Sequence, residues 1–422
     1  MTPKFVQIHY LTSYSAALLN RDDSGMAKRL PYGGAMRTRV SSQCQKRHWR
    51  MSDSVYSLLN IEGAEESYRS RDLVTKLIRG PFEGEVAEEI LNAVEPFFQA
   101  AVYGAKDEKK GGAKKGKGKG KGDEPAPEHV EGSAPDQAEE AVPVVAKTGR
   151  QPLLMGHPEI RFLHEHFEQI VTSATTPAEA RAAAAAFCDE KSFKEKMKVM
   201  REGAALHMGL PAALFGRMVT SDKSANVDAP IHVAHAFTTH AEESESDYFA
   251  VMDDLAGPTD SASDHLGETE LSSGIFYGNV VIDVAGLVSN LTGLDRKGWL
   301  SADRAMSAEV IANLIALIAE TSIGAKKGST APYAYAHTLL VEIGDRQPRS
   351  LGGSLRIPVR PTMEAAEAAL SAHLGTLDAV YETGEARRFL SLRNDASFPG
   401  AERASMRGIT EWVRGVILAG AV

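Results

Sequence analysis

Strand-forming stretches lie at both ends of this chain, and a long helical block separates them. FVQIHYL (5–11) and the MRTRV segment (36–40) come early. The next candidates, IHVAHAFTTH (231–240), IFYGNVVIDV (275–284) and HTLLVEIGD (337–345), follow only after residue 214. Residues 51 to 103 and 158 to 214 read as helix, with apolar positions such as Val55, Leu58, Leu59, Val74, Leu77 and Ile78 at helical spacing. Any sheet built from these strands must therefore pair segments far apart in sequence and loop the helical block out of its path. GRMVTS (216–221) is expected to open the second strand-rich section.

The order strand, helix, strand, strand, helix, strand is the split β-α-β layout of ferredoxin-like folds, which include RNA-recognition modules. The expected class is α+β, with a ferredoxin-like body formed by residues 1–50 and 215–422. A helical insertion occupies 51–214, and 361–422 closes the chain as a largely helical part. A helix is expected over about 302–322. Composition changes abruptly at KDEKKGGAKKGKGKGKGDEPAPEHVEGSAPDQAEEAVP, a Gly/Lys tract followed by a Pro/Ala/Glu tract. With almost no large apolar side chain it has little surface to bury, so 105–150 is expected to be a disordered insertion. Its run of lysines suits either a solubilising linker or loose contact with a nucleic-acid backbone.

The stretch RTRVSSQCQKRHWR (37–50) concentrates cations without one acid among them. Arg37, Arg39 and Ser41 fall on one face of a period-two strand, and Met36, Thr38 and Val40 on the other. The Gly33-Gly34 pair marks the turn before it. Ser42, three residues ahead of Gln45, has the spacing of a capping box that opens a helix. Gln43, Lys46 and Arg50 then recur at three- and four-residue spacing, with Arg47 beside them. A helix start offers unpaired N–H groups and a positive dipole end, and these side chains donate or carry positive charge. The pattern points to an anion-binding surface. Overall charge agrees by its segregation. The whole chain is at −9, yet its first fifty residues hold nine basic side chains against two acidic ones.

Other chemistry is thinly represented. The two cysteines, Cys44 and Cys188, form no C-x-x-C and fit a reducing cytoplasm. The N-terminus lacks the apolar core of a signal peptide, and no apolar run reaches membrane-spanning length, so a soluble cytosolic protein without a membrane partner is expected. GAKKGST (324–330) has its glycines and lysines in the wrong order for a P-loop. His232 and His240 share one strand face while His235 takes the other, so no metal site is expected. No cofactor is called for either. Asp22-Asp23 and Asp253-Asp254 are the only hints of a metal-dependent nuclease, and Asp22 is better placed to pair with Arg21. The span 241–274 is long, acidic and serine-rich, and carries Tyr248 and Phe249 without an apolar stripe to join. Such aromatics on a projecting arm are suited to stacking on bases. Met218, after Gly216-Arg217, poses the same choice between core and ligand.

Taken together, LNRDDSGMAKRLPYGGAMRTRVSSQCQKRHWR resembles the N-terminal signature of the Cas seven (CasC) backbone subunits of type I-E CRISPR Cascade. The blocks GRMVTS…VDAPIHVAHAFTTH…SDYFAVMDDL…HLGETELSSGIFY and, more weakly, IGAKKGSTAPYA are similar to later parts of that family. The Lys/Gly tract and the C-terminal region depart from it. The resemblance implies an RNA-recognition-type palm, helical fingers at 51–214 and a thumb at about 242–273. It implies a non-enzymatic subunit that stacks head to tail along a CRISPR RNA as a helical filament, kinking the guide at intervals and presenting it for pairing with target DNA in antiviral defence. Partners implied are the guide RNA, paired target DNA, copies of the same chain, other Cascade subunits and a recruited or fused nuclease. By position, Arg21, Lys28, Ser41, Gln43, Lys46 and Arg50 match guide-backbone contacts, and Met218 and Phe249 match the apolar pair that brackets the kinked nucleotide. Arg37, Arg39, Ser42, Arg47 and Arg217 complete the expected RNA-binding set. The alternative is a metal-dependent ribonuclease that cuts paired target RNA with a thumb aspartate.

Overall fold

FVQIHYLTSYSAA forms one long strand, β1 (Phe5–Ala17), because both of its faces find apolar cover. Val6, Ile8 and Tyr10 point to one side, into the largest cluster of buried side chains. Leu11 points to the other, into a second cluster. The computed structural model describes residues 1–104, 151–203, 206–219, 222–252 and 263–422. The 105–150 insertion and the Asp253-Asp254 pair lie outside the described residues.

After β1 come the hairpin β2 (Arg29–Tyr32) and β3 (Ala35–Val40), then helix α1 (Ser42–Arg50). Gly33 and Gly34 join the two strands with φ of 64° and 81°. A Cβ on Gly33 would sit 1.4 Å from the Arg356 carbonyl oxygen, so the turn requires glycine there. The helical block follows: β4 (Ser67–Ser70), α2 (Glu88–Tyr103), β5 (Leu153–Gly156), α3 (His157–Ser173), α4 (Pro177–Phe187), α5 (Glu190–Gly203) and α6 (Leu210–Phe215). Its own core packs Phe98, Phe167 and Phe187 around Leu91 and Leu163. Residues at its two ends, Leu58 and Ile61, and Leu210 to Leu214, instead join the cluster beneath the sheet, so packing crosses the boundaries expected at 51 and 214.

The rest of the chain supplies β6 (Ile231–Val233), β7 (Ala236–Thr238), β8 (Glu243–Met252), β9 (Ser263–Asp283), α7 (Val284–Thr292), α8 (Ala305–Glu320), the short α9 (Lys327–Thr330), β10 (Ala336–Gly344), α10 (Met363–Tyr381), β11 (Ala386–Ser391), β12 (Ala401–Arg403) and α11 (Met406–Ala419). Among the described residues ten strands share one sheet, in the order β12-β11-β10-β1-β9-β7-β3-β2, with β6 and β8 also on β9. Both neighbours of β1 run antiparallel to it and come from the far half of the chain. Helices α7, α8 and α11 cover one face through Leu287, Ile311, Leu314 and Val413; α10 covers the other through Leu370 and Leu374. The protein is therefore a mixed α/β fold with one large sheet and many helices.

Several local expectations are corrected. Residues 231–240 form two short strands, because the chain breaks at Ala234 and His235. There the Ala234 carbonyl accepts from the Gln45 side chain. The described part of GRMVTS, residues 216–219, forms no strand; Arg217 makes an isolated bridge to Val227. The span read as a loop at 241–274 is largely paired, since β8 and β9 align from Glu243 opposite Ser273 to Met252 opposite Ser263. The C-terminal part is not wholly helical, because β11 and β12 extend the sheet edge. Among the described residues no helix is long and apolar enough to cross a membrane.

Candidate nucleic-acid interface

Helix α1 is held by the face that carries no charge. Gln45 and Trp49, four residues apart, are buried. The Tyr10 hydroxyl donates to Gln45 Oε1, and Gln45 Nε2 donates to the carbonyls of Val40 (3.3 Å) and Ala234 (2.9 Å). Gln45 thus fastens the helix to the sheet rather than closing a capping box. The cap itself is Ser41, one residue earlier than expected, whose hydroxyl accepts from the Cys44 N–H at 3.3 Å. With 45 and 49 inward, a rotation of 100° per residue sends Lys46, Arg50, Gln43 and Arg47 to the outer arc.

These outer cations lack acids. Among the described residues Arg21, Lys28, Arg39, Lys46, Arg47 and Arg50 form no salt bridge, whereas Arg29, Arg79, Arg201, Arg217, Arg349, Arg387, Arg393 and Arg414 each do. Burial, then the neighbouring Arg69 and Arg47 charges, push the Arg50 guanidinium below its usual range. Burial alone does the same to Lys46. His235 is lowered by burial and by Arg39 and Lys28; its Nδ1 lies 3.1 Å from Arg39 Nη1. Like charges held together without a counterion favour binding an anion.

Two grooves flank the helix. One, of about 800 Å³, runs from Arg21 past Ser41, Gln43 and Arg47, with Gly324 and Ala325 opposite. The Asp22 carboxylate in its wall accepts from the Ser24 and Met26 N–H groups at 3.0 Å instead of pairing with Arg21. A second groove, of about 1130 Å³, shares Arg47, His48, Gly324 and Ala325 and continues to Lys327, Tyr333 and Tyr335. Ser42 lies half-buried at the first position of α1.

On the far side of α1, the Lys46 ammonium sits 5.5 Å from the Phe215 ring centroid. Phe215 leads to Met218, which is 83% exposed between anchored neighbours. Arg217 and Val227 exchange backbone hydrogen bonds at 2.9 Å, and the Val219 N–H donates to Asn226 Oδ1 at 2.6 Å. Phe249 stands on the β8–β9 hairpin, its ring against Gly267, where a Cβ would come within 2.2 Å. Lys326 approaches that ring to 5.6 Å and donates to Thr269 Oγ1 at 2.7 Å. Glu270 receives the Ala27 N–H and Arg29, binding the hairpin root to the approach to β2. Tyr248 faces outward, 72% exposed.

Two members of the expected set belong to the interior. Arg37 is 0% exposed, and its Nη1 and Nη2 donate to the carbonyls of Thr238 (2.8 Å) and Leu355 (2.9 Å), with His240 and Arg356 behind them. Arg217 is buried against Glu159 and donates from Nε to the Ala225 carbonyl at 2.8 Å. A guanidinium enclosed by its own chain presents no donor to a ligand, so these two are corrected to fold-building roles. Arg39 is half committed, giving Nε to the Arg29 carbonyl at 3.1 Å. His232, His235 and His240 go to separate partners: the Ala229 carbonyl, Arg39 and the Ile275 N–H. Sequence reading missed His48, Lys327, Tyr333 and Tyr335. IGAKKGSTAPYA held a signal for two of them, but nothing local places that segment beside α1.

Comparison with known proteins agrees with this architecture. A chain of a "CRISPR RNA-guided surveillance complex, pre-nicking" superposes with a TM-score of 0.70 at 21% identity, covering 99% of this chain and 100% of its own. A chain of a "CRISPR RNA-guided surveillance complex" gives 0.60 at 20% identity, covering 97% and 99%. At those identities the likeness is one of fold. No curated protein matches. The CT1975-like protein family matches from residue 6 to residue 414, and the chain therefore belongs to that family, a Cas seven-like one.

Proposed function

We propose that this chain is an RNA-binding structural subunit of a CRISPR RNA-guided surveillance complex of the Cascade type I-E kind. It polymerises along the guide, carries it by its backbone and presents it to target DNA, with no chemical step of its own. The observation that carries this reading is the unpaired cation arc of α1 beside two open grooves. Phosphate contacts fix a nucleic acid in place without reading bases, which suits a carrier of any guide sequence. The fold fits the same reading: the sheet around β1 as an RNA-recognition-like palm, the helical block as fingers and the β8–β9 hairpin as thumb. Met218 and Phe249, both exposed on pinned supports, would bracket a kinked nucleotide supplied by the assembled filament. A cytoplasmic location belongs to the reading and accords with two free cysteines.

The test is Lys46→Ala with Arg50→Ala in the full chain. The purified complex is expected to lose guide RNA, and the salt dependence of single-strand binding to become shallower by about 1.4, or about 0.7 per phosphate contact removed. A double variant that keeps its full RNA complement and salt slope would refute the assignment of α1.

A further inference from the structure

The groove beyond Arg47 contains two features that phosphate binding does not use, the rings of Tyr333 and Tyr335. The connection from α8 to β10 runs through APYAYA, and its exposure alternates: Pro332 and Ala336 are buried, Tyr333 is 72% exposed and Tyr335 is 70% exposed. The Ala334 N–H donates to Ser322 Oγ at 2.9 Å, which pins the backbone between the two rings. Both tyrosines line the same groove. Among the described residues neither ring has a hydrogen-bond, cation or aromatic partner. Large amphipathic rings held in a wall without a partner are suited to a ligand with a flat face.

We propose that this groove is a stacking subsite for unpaired RNA bases, with Tyr333 and Tyr335 as the platform and Arg47 and Lys327 holding the adjoining phosphates. The inference rests on the RNA-carrier reading and deepens it. Groove size supports a chain-like ligand: about 1130 Å³ exceeds the ~300–1,000 Å³ that encloses a small molecule. Lining charge supports bases at this end. Asp53 and Glu320 share the wall with Arg47, His48 and Lys327, a mixture that a neutral base tolerates better than a run of phosphates does. Continuity supports it too, because the same Arg47 and His48 also border the groove of Arg21 and Gln43.

The experiment compares Tyr333→Ala/Tyr335→Ala with Tyr333→Phe/Tyr335→Phe in the full chain. The probe is a fluorescein-labelled single-stranded RNA of mixed sequence, read by anisotropy across a salt series. Stacking depends on the ring face, so the alanine variant is expected to bind about fivefold to a hundredfold more weakly per ring engaged, and the phenylalanine variant close to wild type. The salt slope should stay at the wild-type value in both, since tyrosine neutralises no phosphate. Wild-type affinity in the alanine variant overturns the subsite alone. So does a phenylalanine variant as weak as the alanine one, or a variant that binds RNA normally yet fails to enter the complex, which would mark a protein-docking surface. A wild-type chain that takes up no RNA overturns the carrier reading with it.

Discussion

Two groups of arginines in this molecule are built on opposite plans. Around Glu342, a buried residue of β10 paired between β1 and β11, every charge has an answer. Glu342 takes His9 Nε2 at 3.2 Å, Arg349 Nη2 at 2.9 Å and Arg387 Nε at 2.7 Å, and Arg387 turns its other nitrogens to Asp378 at 2.6 and 2.7 Å. Burial alone would raise the Glu342 carboxyl; the His9 hydrogen bond and the surrounding cations outweigh it and lower the group from 4.5 to about 2. Around α1, Arg47 and Arg50 form no salt bridge among the described residues, and burial with the Arg69 and Arg47 charges shifts Arg50 the unfavourable way. The first group is complete within the fold, and the second awaits a counterion. The same residue type thus serves stability or ligand binding according to whether the chain itself supplies the partner.

The largest effect should come from opening the closed group. Glu342→Gln removes the acid that His9, Arg349 and Arg387 share, leaving Arg387 to Asp378 and Glu385 and Arg349 to Glu385 alone, and breaking a buried pair costs up to about 3–5 kcal/mol. Urea unfolding at neutral pH should show it as a lower midpoint with RNA affinity of the folded fraction unchanged. The pH dependence gives the sign independently. Because the folded value lies below the unfolded one, Glu342 contributes fully above about pH 4.5 and its contribution fades as pH falls toward about 2. The gap between wild type and Glu342→Gln should therefore close with acidification; a gap independent of pH would show that the charge is not what matters.

Arg37 and Arg50 give the sharper contrast, since both belong to the cation-rich stretch. Arg37→Ala removes the donors of two close carbonyls in the interior, and each buried acceptor left unsatisfied costs about 1–3 kcal/mol. Arg37→Lys should not rescue it, because an ammonium cannot span the Thr238 and Leu355 carbonyls as the planar fork does. Arg50→Ala should alter unfolding by no more than about 0.5 kcal/mol, yet weaken RNA binding. Equal destabilisation by the two would erase the distinction between fold-building and ligand-facing cations.

That distinction was only partly legible in the sequence. The Gly33-Gly34 turn, the helix after it and the outer arc of Gln43, Lys46, Arg47 and Arg50 follow from local rules, because turn chemistry and helical periodicity act within a few residues. Alternation separates the two faces of β3 but gives no sign that both are covered, Thr38 and Val40 on one and Arg37 on the other, so it leaves Arg37 with the surface. Its cover comes from the carbonyls of Thr238 and Leu355, far along the chain. Arg217 is hidden in the sequence for the same reason, because its partner Glu159 lies 58 positions away. The groove of Tyr333 and Tyr335 exists only once the connection to β10 lies against α1.

Ser41 stands on both sides of the comparison and separates them by the smallest margin. Its hydroxyl caps α1, a role shared by serine and aspartate and worth about 1 kcal/mol against alanine. It also lines the groove of Arg21 and Gln43, where a phosphate is expected. Ser41→Ala should lose both contributions, whereas Ser41→Asp keeps the cap, favours the positive end of the helix and sets a fixed negative charge against the ligand. Unfolding of the aspartate variant should match wild type while its single-strand RNA affinity falls below that of the alanine variant. If aspartate binds RNA better than alanine does, the groove at the mouth of α1 does not hold phosphate, and the open cation arc must meet its counterion elsewhere along the helix.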